Sequence, residues 1–100
     1  MRISEFENVV SAKKMKIEKR LKYTDQEIFI AEGYCPGDRD DMSPHYKTMY
    51  AISDGPERIK VGEFFITPII FPIKNKDDRM FEAQIRAQEF LDGMKSECPA

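Results

Sequence analysis

Polar and apolar positions along this chain change period several times, and the changes divide it into elements. Ile3, Phe6 and Val10, continued by Ile17 and Leu21, fall within a sector of about 60° at 100° per residue, the mark of an amphipathic helix. Ser4-Glu5-Phe6-Glu7 has the form of a capping box, in which the Ser4 hydroxyl accepts from the Glu7 amide and the Glu7 carboxylate reaches back. A helix is therefore expected over 4–13. Residues 14–23 support two readings. The stripe carries the helix on to Tyr23, but Met15, Ile17, Leu21 and Tyr23 also alternate with Lys14, Lys16, Glu18, Arg20 and Lys22, as in a half-buried strand. Only Lys19 breaks that alternation, while the scarcity of β-branched residues favours helix.

Residues 27–34 are aromatic and β-branched and read as a strand. Residues 35–44 carry turn residues throughout, with Pro36-Gly37 suited to a type II turn. Over 45–53, Tyr46, Thr48, Tyr50 and Ile52 alternate with Lys47, Met49, Ala51 and Ser53, and residues 54–57 form a hairpin connection to a returning strand over 59–67. Phe64, Phe65 and Ile66 put bulk on both faces of that strand, which predicts a central position in the sheet. Pro68 and Pro72 restrict residues 67–73 to an edge strand or an extended loop, because proline donates nothing to a ladder. Residues 75–78 offer an N-cap and acids for a last helix running to about Lys95. On it, Met80, Ala83, Ala87, Phe90, Leu91 and Met94 share one face, Glu82 and Arg86 form an i,i+4 pair, and Phe81 and Ile85 lie off the stripe. The order predicts an α+β fold: one domain over 1–100, with a small antiparallel sheet of three to four strands and the N- and C-terminal helices packed on one face.

The composition is that of a globular domain, with 41% hydrophobic and 34% charged residues among 100. The apolar runs are far shorter than the roughly 20 residues of a membrane span, and Arg2, Glu5 and Glu7 interrupt any secretory signal. A cytoplasmic protein without membrane contact is expected, with Cys35 and Cys98 as reduced thiols. A net charge of −2 argues against both a histone-like binder and a nucleic-acid mimic. The charge is blocked, however: residues 1–24 are net basic and residues 25–57 strongly acidic.

Side chains with chemistry are sparse. The lone His45 lies ten residues from Cys35, with Asp38, Asp40 and Asp41 between, so a Cys–His–Asp grouping can be written down but has no orienting motif. A calcium loop starting at Asp38 fails at Met42, Ser43 and Met49, and zinc lacks a fourth ligand and paired cysteines. Cys35-Pro36 and Cys98-Pro99 resemble haem-ligating dipeptides only in isolation. The five glycines are scattered and form no phosphate loop. The expectation is a non-enzymatic chain with no catalytic centre, metal or cofactor, acting by binding.

Two partner classes are open. Protein binding would use the apolar positions that alternation and helical spacing leave uncovered, namely Ile70 and Phe71 in the extended segment and Phe81 and Ile85 on the last helix. Asp38, Asp40 and Asp41 would steer a basic partner. The partner is another protein acting with this one in a regulatory or inhibitory pair, or a second copy in a homodimer. The alternative is nucleic acid, met by Lys13, Lys16, Lys19 and Arg20 of the basic segment, with Tyr46 and Tyr50 as stacking platforms.

Overall fold

The chain's architecture follows from the second strand of its sheet. Ile28 and Ile30 point to one side and Phe29 and Ala31 to the other, and all four are buried, so this strand must be covered on both faces. The computed structural model describes residues 1–36, 44–68 and 75–97. In order it contains α1 (Ile3–Ala12), β1 (Lys16–Tyr23), β2 (Gln26–Cys35), β3 (His45–Ser53), β4 (Ile59–Pro68) and α2 (Lys76–Glu97). The strands form an antiparallel meander in the order β1-β2-β3-β4.

The fold is α+β, as the pattern predicts, but the helices take opposite faces. Phe6 and Val10 of α1 join Phe29, Ala31, Met49, Ala51 and Ile59 in one core. Met80, Ala83, Ala87 and Leu91 of α2 join Ile28, Ile30, Tyr50, Ile52 and Phe65 in the other. Because β2 and β3 are apolar on both sides, two separate layers can form where one shared face was expected.

Residues 14–23 resolve as a turn and a strand. After Ala12 the backbone closes with Lys14 N–H donating to Ser11 O (3.0 Å) and Met15 N–H to Val10 O (2.9 Å), and Lys14 takes the left-handed conformation at φ 58°. The stripe shared by Phe6, Val10, Ile17 and Leu21 is thus split between two elements. Gly33 makes room for the turn, since a Cβ there would lie 2.7 Å from the Lys14 carbonyl oxygen.

Two further expectations change. The capping box at Ser4 is not used: the helix starts at Ile3 with Arg2 as its N-cap and no side-chain cap. Backbone bonds to the β3–β4 connection hold this start instead, from Ile3 N–H to Glu57 O and from Ile59 N–H to Met1 O. β4 is a terminal strand of the described sheet, not a central one. Its bulk on both faces leaves Phe64 and Ile66 44% and 43% exposed on the α1 side, beyond the reach of a ten-residue helix. The last helix starts as predicted, with Asn75 Oδ1 accepting from the Asp78 amide at 2.8 Å.

Candidate functional site

α2 crosses the sheet mainly over β2 and β3 and buries its Met80–Ala83–Ala87–Leu91 stripe there. The next face of the helix, carrying Phe81 and Ile85, looks past β3 toward β4 and is only partly covered by the described residues. Phe81 is 61% exposed and Ile85 37%. Between this face and β4 lies an open groove of about 830 Å³.

The groove is built in layers. Tyr50 and Phe90 form its floor, their rings meeting edge to face at 5.8 Å between centroids. Gly62 of β4 permits this, because a Cβ there would sit 2.0 Å from Tyr50 Cε2. Burial pushes the Tyr50 phenol above its ordinary pKa, against a hydrogen bond to the Glu63 backbone that pulls it down. Arg86 spans the groove from α2, donating to Glu63 of β4 at 2.9 Å and to Glu82 at 3.4 Å, with its guanidinium 4.1 Å from the Phe65 ring centroid. The lining carries Glu63, Asp78, Glu82 and Glu89 against that one arginine. The chemistry offered is therefore two exposed apolar side chains inside an acidic rim.

At the end of the groove nearest the start of α2, a buried ion pair fixes the helix on the sheet. Arg79 Nε and Nη2 donate to Glu32 Oε2 and Oε1 at 2.7 and 3.0 Å, and the guanidinium lies 3.5 Å from the Tyr46 ring centroid. Glu32 holds the Arg79 pKa above its already high value. Neither residue stood out in the sequence. Glu32 is nonetheless marked by its position, since it continues the alternating series of Ile28 and Ile30 on the face that α2 covers.

The other sequence-derived positions do not converge on the groove. Ile70, Phe71, Asp38, Asp40 and Asp41 lie outside the described residues. The register sets Cys35 opposite His45 at the far end of β2 and β3. His45, the first residue of β3, is buried, with 3% exposed. The basic segment is distributed rather than massed. Lys13 lies 6.0 Å from the Phe64 ring centroid, Lys16 is within 3.6 Å of Glu18, and Lys19 donates to Gln84 at 3.5 Å. Arg20 pairs with Glu27 at 2.6 Å and stacks over Phe29. Among the described residues no helix is long and apolar enough to cross a membrane, and no three His, Cys, Asp or Glu side chains are grouped to hold a metal.

No protein family, no curated protein and no solved structure matches this chain.

Proposed function

We propose that this chain is a non-enzymatic interaction module whose α2–β4 groove takes a basic, apolar segment of a partner protein. The observation that carries the reading is the exposed pair Phe81 and Ile85 beside a groove rimmed by four carboxylates. An apolar surface ringed by polar groups is the usual form of a protein-docking site. The partner's Leu, Ile or Phe would cover Phe81 and Ile85, while its Lys or Arg met Asp78, Glu82 and Glu89, which supply orientation and speed of encounter. The free thiol of Cys35 is in keeping with a cytoplasmic setting.

The nucleic-acid alternative has less behind it. As a strand, β1 sends Lys19 to the α2 side and Arg20 to the α1 side, and Arg20 and Lys16 already face carboxylates. A phosphate backbone needs unpaired cations along one path.

Selection of a random peptide library on the immobilised full-length chain tests the proposal. Enriched sequences should combine Lys or Arg with Leu, Ile or Phe, and their binding should fall at least tenfold with Phe81→Asp or Ile85→Asp in a chain whose circular dichroism is unchanged. Enrichment of acidic peptides, or binding indifferent to both substitutions, would overturn it.

A further inference from the structure

The two terminal strands of the sheet differ in how they are protected. β1 carries Lys16, Lys19, Arg20 and Lys22 and a bulge between Ile17 and Lys19, the usual devices against edge-to-edge pairing. β4 has Lys60, Glu63 and a bulge of its own, but its Phe64–Ile66 stretch carries no charge, and among the described residues only its start is covered. There, Asp54 N–H donates to Arg58 O on the β3 side, so Ile59 N–H points outward, where Met1 O accepts it at 2.8 Å. Outward positions then run through Val61. Tyr50 lies opposite an extra residue of β4, since Ala51 pairs with Val61 and Met49 with Phe64. That bulge moves the outward set to Phe64 and Ile66.

Phe64 and Ile66 therefore combine outward backbone N–H and C=O groups with side chains that are close to half exposed. We infer that β4 pairs antiparallel with β4 of a second copy of the chain, about a twofold axis at Phe65. In this register Phe64 opposes Ile66 of the other copy and Ile66 opposes its Phe64. Each opposed pair exchanges two backbone hydrogen bonds and closes an apolar contact on the α1 side. The register is bounded at both ends. Pro68 offers no donor beyond it, and the Met1–Ile3 arm occupies residues 57–59. A twofold axis normal to the sheet preserves its faces, so both α2 grooves come to lie on one side of a continuous eight-stranded sheet, with each Glu63 next to the axis. The dimer offers two acidic grooves together. The inference does not depend on what those grooves bind.

Sedimentation equilibrium of the full chain from micromolar to millimolar concentration tests it, with expected growth to twice the 11.7 kDa chain mass. Phe64→Lys and Ile66→Glu should each weaken association by roughly tenfold or more. The double variant should recover most of that loss, because the register sets each lysine against a glutamate of the other copy. The amide protons of Phe64 and Ile66 should also exchange more slowly as the wild-type chain is concentrated. Phe81→Asp should leave association unchanged. A monomer at every concentration, a double variant no tighter than the weaker single, or amide exchange independent of concentration would each overturn the inference.

Discussion

Lys14 turns the chain where glycine usually does so. Its φ of 58° places a Cβ in the left-handed region, and nothing in its side chain requires that conformation. Lys14→Gly should therefore raise stability by about 0.5–1 kcal/mol in urea unfolding, and a loss would show that the lysine is held by a contact. Gly62 is the converse case. Gly62→Ala brings a methyl against the Tyr50 ring, which is wedged beside Phe90, and should cost about 1–3 kcal/mol. Glu18 gives a pH-dependent term. Its hydrogen bond from Lys76 at 2.8 Å holds the carboxyl below the ordinary range, so the folded state binds the proton less readily than the unfolded chain. The contribution is present at neutral pH and lost as pH falls through the folded-state pKa. Glu18→Gln should cost under about 1 kcal/mol at pH 7, with the gap from wild type closing in acid. A gap that widened in acid would contradict this.

At the scale of elements, the sequence is most legible where period and punctuation agree. The limits of β3 and the Asn75 start of α2 follow directly from alternation and capping chemistry. The end of α1 was hidden because its stop signal is a left-handed lysine rather than glycine, so the stripe ran on in the sequence while the backbone turned. β4 misled for another reason: bulk on both faces indicates burial only if something covers both faces, and α1 is too short to reach Phe64 and Ile66. The Glu32–Arg79 pair was unreadable because its members are 47 residues apart. That pair also supports the sharpest prediction for an element. Glu32→Gln leaves the Arg79 charge buried and should cost about 3 kcal/mol or more, read from urea unfolding. Arg79→Lys should not be tolerated either, because a lysine keeps the charge but lacks the fork and the stack on Tyr46. Stability unchanged in both variants would show that α2 is anchored by its apolar stripe alone.

For the whole molecule, two cores on opposite faces of one meander leave the β4 side incompletely covered by both helices. On the α2 side this produces the acidic groove, and at the strand's outer edge it leaves Phe64 and Ile66 without a strand partner among the described residues. Half of the site was open to sequence reasoning, since helical spacing placed Phe81 and Ile85 off the buried stripe. The acidic rim was not, because Glu63 comes from a strand and joins Glu82 and Glu89 only through the packing of α2. Binding should thus weaken when the rim is neutralised: Glu82→Gln with Glu89→Gln should reduce the affinity of a basic peptide several-fold and flatten its salt dependence, measured by fluorescence anisotropy. The most direct test of the docking claim is a nuclear magnetic resonance titration of the isotopically labelled chain with an amphipathic peptide of Lys and Leu. The account predicts shift changes concentrated at Glu63, Phe81, Ile85 and Glu89. Changes centred on residues 13–22, or none at all, would contradict it.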